Sequence, residues 1–240
     1  MRAVLGHKKM INTSKIYKMR VVFCVSEKAP KRLDILNAVR NMVLASGLDY
    51  VPAKVNMHWP RLSFGPFAEH GQIARREYID IYLKTSVSAQ EVRACLEHSR
   101  PPEILLIDVY RVPYSLAVLR QLATCAIYTI EGDFASFRPS QTIEEWATAT
   151  HLQAVQQAAN GMRLTTDIRP FVREARLLTE QRTELTLQRV EDRWINPLVC
   201  IYAWLEMDIT TPFAELVDER FKVIREGLYW QDSAQNLHLI

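Results

Sequence analysis

The sequence predicts an α+β protein built of two similar halves. Three observations predict it. Short β-rich runs alternate with segments whose apolar residues recur at helical spacing. Paired start and stop signals bracket those helical segments. The order of elements before Pro113 also recurs after it.

In the first half, Arg20 to Ser26 reads as a strand. Pro30 to Ser46 reads as a helix, with Leu33, Leu36, Val39, Val43 and Leu44 on one face, a proline at its start and Gly47 at its stop. Tyr50 to Val55 and Leu62 to Phe67 are strand-like. Glu77 to Leu83 alternates, Ile79, Ile81 and Leu83 against Tyr78, Asp80 and Tyr82, which predicts a half-buried strand. Ser88 opens a helix to about His98 with Glu91 at capping-box spacing, and Pro101 and Pro102 end it before the strand Ile104 to Arg111. With one hairpin strand set aside, the order is βαββαβ.

In the second half, Gln121 to Ile130 is strand-like and Thr142 to Ala159 helical. Arg163 to Ile168, Glu174 to Leu178 and Thr183 to Val190 are strand-like, and the apolar run Leu198 to Met207 reads as a central strand. Thr211 to Phe221 reads as a helix with Pro212 at its first position, and Lys222 to Trp230 as a last strand. The expected architecture is two tandem ferredoxin-like (βαββαβ) sandwiches packed together, 19–113 and 114–240, behind a basic tail, 1–18.

Composition narrows the function classes. The chain has 240 residues, 24% of them charged and 48% hydrophobic, as expected of a globular protein with its own core. Its 7 glycines include neither GxGxxG nor GxxxxGK, so a Rossmann or P-loop nucleotide site is not expected. No acidic residue precedes Glu27, whereas Arg2, Lys8, Lys9, Lys15, Lys18 and Arg20 are basic. That tail reads either as a contact for RNA, an anionic membrane or an acidic partner, or as a solvated terminus. No signal-peptide core or spanning apolar run occurs, and Cys24, Cys95, Cys125 and Cys200 are scattered, so a reduced cytoplasmic setting without an iron–sulfur site is expected.

Four stretches resemble one family. His58-Trp59-Pro60-Arg61-Leu62-Ser63-Phe64-Gly65-Pro66 looks like a His-Pro, basic, apolar, Ser-Phe run, and Glu77 to Leu83 like the strand that follows it. Thr166-Asp167-Ile168-Arg169-Pro170 and Ile224-Arg225-Glu226-Gly227-Leu228-Tyr229 resemble later Asp-x-Arg-Pro and Arg-x-Gly-Leu-Tyr stretches. Together, in order from Met19 to Tyr229, they are similar to the radical-SAM-linked protein family, which is found beside or fused to cobalamin-binding radical SAM enzymes. The chain departs from that pattern in having Lys31-Arg32 where a histidine is usual before Leu33-Asp34, and in placing Trp59 between His58 and Pro60. The resemblance implies a non-catalytic accessory or substrate-binding module. The iron–sulfur cluster, S-adenosylmethionine and cobalamin would belong to the partner enzyme, and this chain would bind none of them itself.

The candidate binding residues are His58, Trp59, Arg61, Ser63, Phe64, Arg169, Arg225 and Tyr229. A histidine at a strand entry can donate, accept or ligate, and His58 is followed by Glu69 and His70, although no spacing here demands a metal. Arg61, Arg75, Arg76 and Arg169 offer guanidinium forks for phosphate or carboxylate, against the simpler reading of solvated loops and an Asp167–Arg169 pair. Trp59, Phe64 and Phe67 offer a stacking surface, against the reading that strand aromatics form core; Trp194, Tyr202, Trp204, Tyr229 and Trp230 are read the same way. Ser63 and the cysteines have no activating base at motif spacing. The alternative function is RNA binding or processing, resembling CRISPR repeat endoribonucleases in fold only.

Overall fold

The computed structural model describes residues 15–25, 32–69, 71–157 and 160–240. Most of the predicted basic tail, the Pro30 start of the first helix, Lys31 and His70 lie outside them. The described residues form a mixed α and β structure of several antiparallel sheets with five α-helices.

The first sheet takes β1 (Tyr17–Val25), β2 (Leu62–Phe64), β4 (Glu77–Leu83) and β5 (Ile104–Val112) in the order β2-β4-β1-β5, every pair antiparallel. Helices α1 (Arg32–Ala45) and α2 (Ala89–His98) cross over between these strands. Val39, Met42, Val43, Val92 and Leu96 from the helices pack with Met19, Val21, Phe23, Ile79 and Ile81 from the strands. Gly47 after α1 has φ 73°, a left-handed turn that costs glycine nothing and lets the chain leave the helix.

The capping box is present as the sequence predicts. Ser88 accepts from the Glu91 N–H, and the Glu91 carboxylate accepts from the Ser88 N–H. Ser88→Ala is therefore expected to lower unfolding free energy by about 1 kcal/mol. Urea denaturation checks this, with Ser86→Ala, outside the box, expected to change nothing measurable.

The second sheet runs β12-β11-β6-β10-β9, built from β6 (Cys125–Glu131), β9 (Val172–Thr179), β10 (Arg182–Gln188), β11 (Lys222–Gln231) and β12 (Leu237–Leu239). Its crossovers carry α4 (Ile143–Thr148) and α5 (Pro197–Trp204), whose Trp146, Val199 and Ile201 pack on Ala126, Tyr128, Leu185 and Leu187. A short strand from the first half, β3 (Gln72–Ala74), adds to this sheet in parallel with β11, so backbone hydrogen bonds tie the two halves together. The hairpin of β7 (Gln153–Gln157) and β8 (Arg163–Asp167) stands apart as its own two-stranded sheet.

Several elements differ from expectation. Tyr50 to Val55 makes only isolated bridges, Tyr50 to Leu83 and Pro52 to Pro60, because a proline cannot donate to a ladder. Gln121 begins not as strand but inside α3 (Leu119–Leu122). The predicted helix Thr142 to Ala159 stops at Thr148, since Gln153 to Gln157 pairs with β8 and the Gln157 N–H donates to Ile209 O at 2.7 Å. Tertiary pairing there overrides the helix propensity of an Ala- and Gln-rich segment.

The predicted strand Leu198 to Met207 is instead α5. Asn196 caps it and Pro197 occupies its first turn, and a helix buried on nearly all sides carries the same continuous apolar run as a central strand. The predicted helix Thr211 to Phe221 holds only the single turn Phe213–Glu215. Asp218 folds the chain there by accepting from the Arg220 N–H, a local bond that competes with a helix.

The last correction matters most for function. Glu77 to Leu83 is buried at every residue rather than on one face. Its second face carries Tyr78, Asp80 and Tyr82; Tyr78 joins the core of the second half, together with Val22 of β1, and Asp80 lies among the cations of β1.

Candidate functional site

The segment between α1 and β2 is shaped by its prolines and by Asn56. The Asn56 side chain accepts from the His58 N–H at 2.9 Å, its carbonyl accepts from the Trp59 N–H, and the Ala53 N–H closes on Trp59 O at 2.8 Å. This turn chemistry gives a tight loop with His58 exposed and Trp59 39% exposed. Pro60 is buried, and the next residue is held by its backbone, the Arg61 N–H donating to Val51 O at 2.6 Å.

Against this loop lies a cleft of about 470 Å3, lined by Arg40, Lys54, Trp59, Arg61, Leu62 and Phe64, with Ala53, Val55 and Pro60. No described residue of the lining is acidic. Arg40 stands over the Trp59 ring at 4.1 Å from its centroid, and Arg61 over the Tyr82 ring at 4.2 Å. Arg61 also lies 5.9 Å from the Tyr114 ring and donates to the Tyr114 hydroxyl at 3.3 Å. A ring holds a cation in place without neutralising it, so the cleft presents positive charge to whatever enters.

Beneath Arg61 is a buried ionic cluster. Arg20 grips Asp80 with two bonds, Nε to Oδ1 at 2.8 Å and Nη2 to Oδ2 at 3.2 Å, and Lys18 Nζ is 3.1 Å from Oδ2. All three side chains are at most 3% exposed. Lys18 also donates to the carbonyls of Leu116 and Ala117, so the cluster fastens the segment that joins the halves. Burial first, then the Asp80 carboxylate, raise the Tyr82 hydroxyl above its ordinary pKa, with Arg61 opposing.

The predicted site residues separate into two groups. Trp59, Arg61 and Phe64 meet in the cleft. His58 flanks it on the same loop, and Ser63, paired with Asp80 across β2 and β4, lies within hydrogen-bonding reach of Tyr82. Phe64 is also partly core, its ring 5.5 Å from that of Phe67. None of the other three lines the cleft. Arg169 donates to Ala147 O at 2.8 Å, and its own N–H donates to Asp167. Arg225 is buried, its Nη2 2.7 Å from Glu77 and its Nη1 donating to Pro66 O at 2.7 Å. Tyr229 is half-buried on β11 opposite Cys125.

Arg40, Lys54, Tyr82 and Tyr114 were not among the sequence candidates. Arg40 sits on the helical repeat of α1, and Tyr82 on the alternation of β4, yet nothing local says that either meets Trp59 or Arg61. Neither Cys125 nor Cys200 offers a thiolate at neutral pH, since burial pushes the Cys200 thiol up to about 12 and raises that of Cys125. Among the described residues, no group of three or more His, Cys, Asp or Glu side chains is placed to hold a metal ion, and no helix is long and apolar enough to cross a membrane.

The profile of a family described as an uncharacterized protein conserved in bacteria, DUF2344, matches residues 57–197. The chain belongs to this family. No curated protein matches it. The DUF2344 match opens at the cleft loop and contains Trp59, Arg61, Phe64, the whole of β4 and Tyr114. Arg40, Lys54, Arg225 and Tyr229 lie outside it.

Proposed function

We propose that the chain is a non-catalytic binding module that serves a cobalamin-dependent radical SAM enzyme, holding in its cleft either an anionic part of the molecule acted on or an acidic surface of the enzyme. The observation that carries this reading is the cleft itself: three cations and no described acid, with two of the cations held on aromatic rings. Such a surface attracts anions and pays little desolvation for them, because the guanidinium groups are already positioned. The four stretches that resemble the radical-SAM-linked family support the choice of partner. The iron–sulfur cluster, S-adenosylmethionine and cobalamin are assigned to that partner, in the cytoplasm.

On the same footing, the halves are read as two ferredoxin-like units. The orders β2-β4-β1-β5 and β9-β10-β6-β11 are each second, third, first, fourth once the inserted β3, the β7–β8 hairpin and the edge strand β12 are set aside, which supports a duplicated βαββαβ plan.

Co-expression with the cobalamin-binding radical SAM enzyme of the same organism tests the reading. The two proteins are expected to co-purify, and Arg40→Glu with Arg61→Glu is expected to release the partner or its substrate. Purification of the two as separate proteins, with the enzyme fully active on its substrate without this chain, would overturn it.

A further inference from the structure

Many exposed arginines meet carboxylates: Arg75 with Glu226, Arg163 with Asp208, Arg176 with Glu184, Arg220 with Asp218. In the first half, Arg40, Arg61 and Arg111 instead stand on the rings of Trp59, Tyr82 and Tyr17, the last at 4.6 Å, with Lys15 5.9 Å from that same Tyr17 ring. Tyr17 pairs with Leu83, next to Tyr82, so this third ring stands at the same end of the sheet.

We infer that the cleft and the rings beside it bind a single-stranded nucleic acid, phosphates on Arg40, Lys54 and Arg61, bases on Trp59 and Tyr114. This rests on reading the cleft as an anion site and names its ligand. A single strand offers an anion and a planar ring in every repeating unit. The 59–61 segment offers the complements, a ring at Trp59 and a cation at Arg61, two residues apart in one chain.

Trp59 and Tyr114 are 39% and 51% exposed, enough for an unstacked base to lie on them, which paired bases in a duplex cannot do. Energetics favour the exchange. An exposed cation–ring contact is worth less than stacking a base on an aromatic side chain. A base can thus take the ring from Arg40 while the freed guanidinium moves to a phosphate.

The test uses the full chain and three probes: a labelled 15-residue oligouridylate, the matching oligodeoxythymidylate and inorganic polyphosphate, which has charge without rings. Affinity is read by anisotropy and competition at two salt concentrations. Binding of an oligonucleotide that falls with salt and drops about tenfold or more in Trp59→Ala with Tyr114→Ala, while polyphosphate binding is unchanged, bears the inference out, and the preferred strand says whether RNA or DNA is the ligand. Thermal melts confirm that this variant is folded. If the oligonucleotides bind no more tightly than polyphosphate, or ignore loss of the rings, the nucleic-acid inference falls while an Arg61-dependent anion site stands. If none of the three binds, both fall.

Discussion

Asp80→Asn is expected to lower the unfolding free energy by about 3–5 kcal/mol, the usual cost of breaking a buried ion pair from one side. The carboxylate is fully buried and faces two cations, Lys18 and Arg20, themselves at most 3% exposed. Asparagine fills the same space but leaves both positive charges away from water without a counter-charge. Lys18 keeps the Leu116 and Ala117 carbonyls, which offset part of the loss. The exposed pair of Lys84 and Asp49, each 49% exposed, is the comparison, since Asp49→Asn should cost less than about 1 kcal/mol. Denaturant unfolding of the two variants measures both. Equal effects would mean that the buried cluster contributes no more than a surface pair.

Glu77→Gln is expected to cost a similar amount, about 3–5 kcal/mol by the same argument, and to be felt in the other half. Glu77 belongs to β4, but the charge it balances, Arg225, is on β11 of the second sheet, and Arg225 also reaches back to Pro66 O. The pair is at most 3% exposed. Of the five tryptophans only Trp59 lies in the first half, so tryptophan emission reports mainly on the second. Its midpoint is expected to fall together with that of far-UV circular dichroism. A shift confined to one signal would show that the pair does not couple the halves.

These two clusters explain what was legible in the sequence and what was not. The first half could be read because its signals are local and agree: Gly47 after an amphipathic run, Ser88 and Glu91 at capping spacing, alternation from Glu77 to Leu83. The same alternation concealed that Asp80 is buried, because what covers it comes from elsewhere in the chain.

In the second half, three elements departed from their local pattern. Gln153 to Gln157 became a strand by pairing with β8, and Pro197 to Trp204 became a helix inside a core that a strand would also suit. The 211–221 segment spent its polar side chains on turns.

The site divides in the same way. Trp59, Arg61 and Phe64 stood out within one stretch, but Arg40 reaches Trp59 only after α1 packs on its sheet. Arg225 stands in a stretch that carries the family resemblance, and Arg169 offers a guanidinium fork that suits an anionic ligand. It suits a protein carboxylate or carbonyl equally well, and in the fold Glu77, Pro66 and Ala147 use those donors.

Anion binding is proposed for the first half, at the cleft of Arg40, Lys54, Trp59 and Arg61. Isothermal titration of polyphosphate tests it most directly, comparing the unaltered chain with Arg40→Glu plus Arg61→Glu and with Arg163→Glu plus Arg193→Glu, two equal changes of net charge at different places. At least a tenfold loss of affinity is expected for the first pair, since a charge-assisted bond is worth about 1.5–3 kcal/mol, and little change for the second. Equal losses from both pairs would contradict it, because binding would then follow overall charge rather than the cleft.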